Sequence, residues 1–267
     1  MELITSRRNP LVGRLRALHQ ARGRREQDRL LLEGTHLLQE VQRLGLTPDL
    51  LLATPAWIER HQDLLAACPL ETRQVPVAPT VLEAVATTDH PDGVVLTVPP
   101  PLPATGPASF VLVLDRLQDP GNLGTLLRTA LAAGIEEVWL EGGADPFQPK
   151  VLRASAGAAL ALPCRRLVDR HALQEALGQA RSAGLQLVAT VVPDGAGADQ
   201  PRPYWALDWC QPTALMLGNE GAGLDPALLE LASVQVTIPH APAVESLNVA
   251  VAAAPLLLER WRQRTAG

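Results

Sequence analysis

The sequence predicts an α/β protein of two domains, the second of which is built on a parallel β-sheet. The chain has 267 residues, which is too long for one typical domain and suits two. Five prolines crowd into positions 99–107, a pattern typical of a semi-rigid linker. After this linker, short apolar runs alternate with helical patterns, as in a parallel sheet covered on both faces. We therefore predict domains over residues 1–98 and 109–267, joined by a linker over 99–108.

The composition predicts a folded protein of a reducing compartment. Hydrophobic residues make up 47% and charged residues 19% of the chain, which is enough apolar material for buried cores. The three cysteines are far apart and form no CxxC pair, so neither a disulfide framework nor a zinc site is expected. No signal peptide is visible, and the longest apolar run, 249–258, is too short to span a membrane. We expect a cytoplasmic protein with no metal and no membrane partner.

The net charge of −5 is distributed unevenly. Residues 1–30 hold eight arginines and three acidic residues, whereas the rest of the chain is acidic. Such a basic segment can bind RNA phosphates despite an acidic total, and the alternative is a solvated helix face. Six of these arginines are candidates for RNA contact: Arg7, Arg8, Arg14, Arg22, Arg24 and Arg25.

The region before the linker alternates helical and extended patterns. Leucines at 11, 15 and 18 share one face of a helix predicted over 10–20. A short apolar run over 29–33 precedes an amphipathic helix that ends near Leu44, with Thr35 as its expected N-cap. The remaining expected elements are strands over 50–53 and 93–98 and helices near 55–67 and 79–87. These elements predict a small α/β domain, and its sequence contains no catalytic constellation.

The region after the linker begins with a continuous apolar run over 110–114, typical of a buried parallel strand. A turn with glycine follows, and then a helix predicted over about 123–133. Further strands are predicted over 137–140, 164–168, 185–192, 213–217 and 234–238. Ligands of parallel sheets bind at the carboxyl ends of the strands, and three chemically informative segments follow strands in this way.

The first of these segments covers residues 114–135. Its DPGN sequence predicts a turn, and Gly124 lets the backbone approach a ligand closely. Arg128 follows one helical turn later and can reach the same ligand, although an ordinary turn with a surface arginine would look alike. The segment matches neither GxxxxGKS/T nor GxGxxG, so ATP and dinucleotide binding lack their fingerprints.

The second segment, LMLGNEGAGL, covers residues 215–224, and its three glycines predict a sharp loop with accessible amides. Glu220 in this loop would repel a phosphate, so a ligand with a cationic or neutral centre fits better. S-adenosylmethionine, a sulfonium without phosphate, is such a ligand. Two roles are open for Glu220: a structural one, in which it accepts hydrogen bonds from the loop amides, and a direct one in catalysis.

The third segment covers residues 238–261. Pro239 ends a strand, and Ser246 and Asn248 flank the start of a long apolar helix that either of them could cap. Because this helix is apolar on most faces, we expect it in the core or at a subunit interface. Pro255 is expected to kink the helix or to mark a junction.

Together the three segments resemble, in order, the signature motifs of the SpoU (TrmH-like) branch of the SPOUT superfamily. The matching residues are Asn122-x-Gly124-x-x-x-Arg128-Thr129-Ala130, then Leu217-Gly218-Asn219-Glu220-Gly221-x-Gly223-Leu224, then Ile238-Pro239 and Glu245-Ser246-Leu247-Asn248-Val249. Residues 149–158 are similar to another stretch common in this group, and residues 1–98 resemble an L30e-like RNA-binding domain. The chain departs from the family at His240 and Pro242, where Met and Gly are more frequent.

The resemblance implies an S-adenosylmethionine-dependent RNA methyltransferase that acts on a ribose 2'-hydroxyl. It also implies a deep trefoil knot in the second domain and a homodimer in which each active site is completed by the partner subunit. The catalytic set implied is Arg128, Asn122, Glu220, Ser246 and Asn248. The implied cofactor contacts are Thr190, Leu217, Gly218, Asn219, Gly221, Ile238 and Leu247.

The family assigns the general base to the arginine of the first motif, here Arg128. Because a guanidinium stays protonated, a clamp on the adjacent phosphate and on the developing alkoxide is the physical alternative. The resemblance favours 23S rRNA as substrate over tRNA. The competing hypotheses are an RNA-binding relative without catalysis and a nucleotide-dependent dehydrogenase or ligase, which lacks its glycine fingerprint here.

Overall fold

The structure is a computed structural model that describes residues 2–192 and 201–266, and its architecture is α/β. The strands are β1 Leu30–Glu33, β2 Leu50–Ala53, β3 Arg73–Pro76, β4 Val94–Val98, β5 Phe110–Asp115, β6 Glu137–Glu141, β7 Cys164–Leu167, β8 Gln186–Thr190, β9 Arg202–Pro203, β10 Thr213–Leu217 and β11 Val234–Thr237. The helices are α1 Pro10–Ala17, α2 Ala21–Gln27, α3 Thr35–Arg43, α4 Pro55–Arg60, α5 Gln62–Ala66, α6 Pro79–Val85, α7 Pro120–Ala132, α8 Pro149–Ala154, α9 Ala158–Ala161, α10 Arg170–Ser182, α11 Pro226–Leu229 and α12 Val249–Ala266.

The chain forms two compact units that do not follow sequence order. Unit 1 comprises Met1–Pro101 and Asp145–Ala161, and unit 2 comprises Leu102–Ala144 and Leu162–Gly267. The chain therefore passes between the units three times, after Pro101, Ala144 and Ala161. Because these units are defined by packing, the domain limits 1–98 and 109–267 stay a prediction.

Unit 1 contains a four-stranded mixed sheet in the order β1-β4-β2-β3. Strand β4 pairs antiparallel with β1 and β2, and β2 pairs parallel with β3. The leucine face of α1 is buried together with the inner residues of α6 and with Leu31, Leu52 and Val95 of the sheet. Asn9 caps α1 by accepting a hydrogen bond from the Leu11 amide, and Pro10 occupies the first helical turn. The predicted helices and strands are thus present, except that the helix expected near 55–67 is divided at His61 into α4 and α5. Helix α2 and strand β3 are elements that the sequence analysis missed.

The expected N-cap of α3 was wrong. Gly34 occupies the N-cap position with φ 100°, a left-handed conformation that glycine adopts without strain. The Thr35 amide instead donates to the Asp92 carboxylate at 2.8 Å, and the Thr35 hydroxyl accepts from the indole nitrogen of Trp57 at 2.8 Å. Thr35 is therefore engaged in a tertiary contact rather than in a local cap.

The segment Asp145–Ala161 is joined to the rest of unit 1 by α8, which packs on β1. Arg153 of α8 lies 3.4 Å from the buried carboxylate of Glu33 on β1. Arg24 donates to the Asp145 carboxylate at 2.6 Å. Both ion pairs are largely shielded from water, so they hold the segment in a defined position.

Unit 2 contains a seven-stranded sheet in the order β7-β6-β5-β10-β8-β11-β9, and every neighbouring pair is parallel. On one face, Val111 and Val113 of β5 are buried with the apolar stripe of α10. Side chains alternate between the two faces along a strand, so Phe110 lies on the face opposite to Val111. On that face the Arg260 guanidinium of α12 lies 4.5 Å from the Phe110 ring centre. Helices α7 and α12 pack against each other. The predicted parallel sheet is confirmed, and all of its strands except the short β9 were expected.

Helix α7 begins earlier than predicted. The DPGN sequence is not a free turn, because Asp119 is the N-cap and its carboxylate accepts the Asn122 amide at 2.7 Å. Pro120 then fills the first helical position, where its missing N–H has no consequence. Helix α12 continues through Pro255 as one helix, so Pro255 does not mark a junction. Across the described residues, no helix combines the length and the apolar character needed to cross a membrane.

Candidate active site

The three segments meet in unit 2, at the carboxyl ends of β8, β10 and β11. They enclose a cavity of about 620 Å³. All seven residues expected to contact the cofactor line it: Thr190, Leu217, Gly218, Asn219, Gly221, Ile238 and Leu247. Parallel strands bring their carboxyl ends to one edge of a sheet, which explains how residues so far apart in sequence share one cavity.

The loop after β10 is folded back on itself by Asn219. The backbone of Asn219 exchanges two hydrogen bonds with Gly223, and its side-chain oxygen accepts the amides of Gly221 and Ala222 at 2.9 and 3.0 Å. A Cβ on Gly218 would lie 2.1 Å from the carbonyl carbon of Gly223, so only glycine fits there. Gly223 has φ +70°, which again favours glycine. Loop shape, rather than ligand contact alone, therefore requires these two glycines.

The same loop is joined to the segment that precedes α7. The Asn219 side chain donates to the Arg116 carbonyl at 2.8 Å. The Glu220 carboxylate accepts the amides of Gln118 and Asp119, each at 3.0 Å. Glu220 thus acts as an acceptor for backbone amides, one of the two roles that the sequence left open.

A chain of side-chain amides continues from Glu220 to the start of α12. Asn122 donates to the Glu220 carboxylate at 3.3 Å, and its own side-chain oxygen accepts from Asn248 at 3.0 Å. The Asn248 oxygen then accepts the amides of Ala250 and Val251, which caps α12. The three segments are therefore tied together by the polar residues Glu220, Asn122 and Asn248.

The environment of Glu220 favours its ionised form. Partial burial alone would raise the pKa of this carboxyl group. The hydrogen bonds from the amides of Gln118 and Asp119 and from the Asn122 side chain outweigh that effect and bring the pKa of Glu220 below its usual range. The loop therefore carries a fixed negative charge at neutral pH.

The rest of the cavity wall combines apolar side chains with a few polar ones. Thr190 donates its hydroxyl to the Met216 carbonyl at 2.9 Å, so this hydroxyl is already engaged within the sheet. His240 also lines the cavity, and its Nδ1 lies 2.7 Å from the Ile238 carbonyl. Because a carbonyl only accepts, Nδ1 of His240 carries the proton. Leu247 and Ser246 complete the wall from the side of the third segment.

Arg128 is the one predicted catalytic residue that does not line this cavity. It lies exposed on α7, and among the residues that the structure describes it has no hydrogen-bond or ion-pair partner. The remaining four, Asn122, Glu220, Ser246 and Asn248, do line the cavity. The guanidinium of Arg128 is therefore available to a molecule outside this chain.

The candidate RNA contacts in unit 1 differ in their availability. Arg24 was a wrong choice, because it is buried and its guanidinium is occupied by the carbonyls of Leu18 and His19 and by Asp145. Arg7 lies 3.3 Å from Glu83, and Arg22 lies 2.6 Å from Glu26. Of the six candidates, Arg8, Arg14 and Arg25 are exposed and have no side-chain partner among the residues that the structure describes.

Two groups of residues at the site were not found from the sequence. Val191, Val192, Ala252 and Leu256 line the cavity, and only their position next to the strand end or on the first turns of α12 could have indicated them. A set of charged residues around Asp115 lies at the same sheet edge. The only indication of this charged set in the sequence was Asp115, an acidic residue at the end of an apolar strand. Among residues 2–192 and 201–266, no group of His, Cys, Asp or Glu is arranged to hold a metal ion.

The cavity lining suits S-adenosylmethionine. No Lys or Arg is among the described lining residues, whereas Glu220 contributes a negative charge and apolar side chains cover much of the wall. A sulfonium is compatible with this charge, and a triphosphate is not. A Cβ on Gly218 would collide with the backbone of Gly223, so the two sides of the loop that borders the cavity are in close contact.

Comparison with known proteins identifies the family. The model of the SpoU rRNA Methylase family matches residues 109–258, more than half of the chain. The chain belongs to this family. A second family model, the MRM3-like substrate binding domain, matches residues 9–96. This SpoU methylase is thus an S-adenosylmethionine-dependent RNA methyltransferase, as the motifs implied, and it has an N-terminal substrate-binding domain.

Two curated relatives and one solved structure resemble this SpoU methylase over nearly its whole length. An uncharacterized tRNA/rRNA methyltransferase of Synechocystis sp. is 44% identical, covering 98% of this chain and 94% of the relative. The 23S rRNA (guanosine(2553)-2'-O)-methyltransferase RlmP of Bacillus subtilis is 33% identical, covering 96% and 98%. The SpoU methyltransferase AviRb from Streptomyces viridochromogenes, in complex with the cofactor AdoMet, has a TM-score of 0.83 at 29% identity, covering 97% and 100%.

Proposed function

We propose that this SpoU methylase transfers a methyl group to a ribose 2'-hydroxyl of 23S rRNA. The observation that carries the proposal is the hydrogen-bond chain from Glu220 through Asn122 to Asn248, which borders the cavity and joins all three motifs. The substrate class is supported by the likeness to RlmP, whose name specifies 23S rRNA and which matches over both domains.

The cofactor would be held by backbone groups of the loop at Gly218, Asn219 and Gly221 and by those of Ile238 and Leu247. S-adenosylmethionine supplies the electrophilic methyl group when it is bound. Glu220 keeps the loop in place through the Gln118 and Asp119 amides and contributes negative charge to the cavity. Asn122, Ser246 and Asn248 would hold the ribose in line with the cavity, which favours a displacement.

Arg128 would act on the RNA. The attacking hydroxyl must lose its proton, and the guanidinium of Arg128 would stabilise the alkoxide that develops while it binds the adjacent phosphate. We prefer this role to that of general base because a guanidinium remains protonated at ordinary pH. Its exposure and lack of a partner among the described residues support a role toward a second molecule.

A homodimer would complete the active site. Because Arg128 does not line the cavity of its own chain, we propose that it serves the cavity of the partner subunit. Helix α12 offers a surface for such a contact, since Val251, Leu258 and Trp261 are 63%, 45% and 55% exposed. These three residues lie seven and three positions apart, so they share one side of the helix. An apolar stripe of this kind is typical of an interface.

The domain of residues 1–98 would bind the RNA, with Arg8, Arg14 and Arg25 contacting phosphates. Phosphate contacts position an RNA without specifying its sequence, so the choice of nucleotide would depend on other residues. Such a protein would work in the cytoplasm, where bacteria such as the source of RlmP make and assemble their rRNA.

The decisive experiment measures the transfer of radiolabelled methyl from S-adenosylmethionine to separated rRNA and tRNA from a strain that lacks this gene. We expect label in 23S rRNA, recovered as a 2'-O-methyl nucleoside after digestion, and none with Arg128→Ala. Cofactor affinity of that variant should remain near the wild-type value. Label in tRNA alone would exclude the rRNA assignment, and full turnover by Arg128→Ala would exclude its proposed role.

The sharing of the site between subunits has its own test. Arg128→Ala and Gly218→Ala subunits, each inactive, are unfolded together and refolded into mixed dimers. A shared site predicts that activity returns, because the intact cavity of one subunit meets the Arg128 of the other. If each subunit used its own Arg128, the mixture would stay inactive.

A further inference from the structure

Five charged side chains of unit 2 meet at the carboxyl edge of the sheet, beside the motif loops. They come from the ends of β5 and β6 and from the starts of α10 and α11: Asp115, Arg116, Glu141, Arg170 and Asp225. Arg170 lies 3.0 Å from Glu141 and 3.5 Å from Asp225. None of these residues belongs to the proposed catalytic or cofactor-binding sets.

Asp115 is the centre of this group, and it is only 1% exposed. One carboxylate oxygen accepts from the Arg170 guanidinium at 2.6 Å and from the Arg116 guanidinium at 3.2 Å. The other accepts the backbone amide of Asp225 at 2.9 Å. A carboxylate buried this deeply requires such partners, so its position and theirs are fixed together.

These contacts tie the end of the glycine loop to the end of β5. Asp225 is the N-cap of α11 and immediately follows the loop, and besides its amide bond to Asp115 its carboxylate accepts from Arg116 at 2.8 Å. Near the start of the loop, the Asn219 side chain donates to the Arg116 carbonyl. Arg116 itself has φ 51°, a conformation that costs free energy for a residue other than glycine. Asp115 and Arg116 thus hold the loop from both sides.

We propose that Asp115 is a positioning residue for methyl transfer: it fixes the glycine loop so that the Glu220 carboxylate meets the Gln118 and Asp119 amides. This inference rests on the proposed function for its catalytic consequence. Gln118 lies only three positions after Asp115, and Asp225 lies five positions after Glu220. A shift at the Asp115–Asp225 contact is therefore transmitted to Glu220, and from there to Asn122 and Asn248.

The variant that tests this inference is Asp115→Asn. Asparagine keeps the side-chain shape and one oxygen that can accept the backbone amide of Asp225. Its side-chain NH₂ group then faces the guanidinium groups of Arg116 and Arg170, from which it cannot accept. Glu136→Gln is the control, because Glu136 is a carboxylate that accepts the amide and hydroxyl of Ser109 at the amino ends of the strands of the same sheet. Unlike Asp115, Glu136 is exposed. Both substitutions remove one charge and one ion-paired or hydrogen-bonded acceptor, so both should lower the melting temperature.

The first measurement is hydrogen exchange at the Gln118 and Asp119 amides, which requires no RNA. We expect faster exchange of both amides in Asp115→Asn, as in Glu220→Gln, and unchanged exchange in Glu136→Gln. Unchanged exchange in Asp115→Asn would overturn the inference. Methyl transfer by the wild-type protein tests the proposed function separately, so the two failures are distinguishable.

The second measurement is kcat in a double-mutant cycle. Since a displacement of about 1 Å can cost about 100-fold in rate, we expect Asp115→Asn to lower kcat by between tenfold and 100-fold. If Asp115 acts through Glu220, the double variant with Glu220→Gln is no slower than Glu220→Gln alone, within about twofold. A purely structural role predicts that the two losses multiply, as we expect for Glu136→Gln combined with Glu220→Gln. Multiplying losses for Asp115→Asn would overturn the inference.

Discussion

The side-chain amide of Asn248 donates to the side-chain oxygen of Asn122 over 3.0 Å, which joins residues 126 positions apart. The neighbours of Asn122 and Asn248 determine which of the two side chains donates this hydrogen bond. Glu220 can only accept, so Asn122 presents its NH₂ group to Glu220 and its oxygen to Asn248. The Ala250 and Val251 amides can only donate, so Asn248 presents its oxygen to them and its NH₂ group to Asn122.

Asn248→Asp should therefore reduce turnover more than it reduces stability. The aspartate still caps α12, but a carboxylate oxygen then faces the Asn122 oxygen, and neither can donate. We expect kcat to fall at least tenfold with little change in melting temperature. Asn248→Ser is the control that separates the cap from the contact with Asn122. Serine caps equally well, but it is too short to reach Asn122. Asn248→Ala, which loses the cap too, should cost about 1 kcal/mol in the free energy of unfolding.

The lowered pKa of Glu220 predicts a difference in acid stability. A carboxyl group whose pKa is lower in the folded state stabilises the fold above its unfolded-state pKa of about 4.3. This contribution disappears as the pH falls through the lower folded-state value. We expect the wild type to melt higher than Glu220→Gln at pH 6, and we expect this difference to shrink steadily as the pH falls below the unfolded-state pKa. Thermal unfolding between pH 3 and 6 measures this, and a constant difference would contradict it.

Gly218→Ala should abolish cofactor binding, whereas Gly221→Ala should reduce it far less. A Cβ on residue 218 would come within 2.1 Å of the Gly223 backbone, so the loop would have to open. A Cβ on residue 221 meets only the Asn219 side-chain oxygen, at 3.7 Å. Calorimetric titration with S-adenosylmethionine compares the two. Equal losses would mean that the loop adapts to a side chain at either position.

The neighbours Arg24 and Arg25 should show opposite phenotypes. Arg24→Ala leaves the Asp145 carboxylate without its partner and should cost about 3 kcal/mol in the free energy of unfolding. Arg25 is exposed, so Arg25→Ala should change stability by less than about 0.5 kcal/mol. If Arg25 contacts an RNA phosphate, its loss should weaken RNA binding. The slope of the logarithm of the binding constant against the logarithm of the salt concentration should also become shallower by about one. Denaturant unfolding and RNA binding at several salt concentrations measure both effects.

Much of this molecule follows from local sequence patterns. Apolar runs such as 110–114 and 213–217 mark buried parallel strands, and their order predicts the sheet edge at which ligands bind. The segments that contain Asn122, Glu220 and Asn248 stood out because they follow strands or begin a helix, and the family resemblance implied the catalytic role of these residues. Periodicity and turn chemistry depend on residues within a few positions of one another, and a sequence displays these directly.

What escaped prediction depends on contacts between distant residues. Arg24 looks like its basic neighbours in the sequence, and only the position of Asp145, 121 residues away, shows that it is buried. Thr35 is a good N-cap by local rules, yet Trp57 and Asp92 engage it instead. Asp115 and Asp225 are 110 residues apart, so nothing near either residue indicates their contact. Tertiary packing overrides local preference at each of these positions.

The chain passes between its two units three times, and this limits when unit 1 can complete its folding during synthesis. Helix α8, which packs on β1, is synthesised more than a hundred residues after that strand. Unit 1 therefore cannot acquire its final packing until residue 161 has left the ribosome, although most of its sequence emerges earlier. The same order argues against exchanging the first 101 residues as a cassette between relatives. A hybrid gene would preserve both units only if residues 145–161 were exchanged together with residues 1–101.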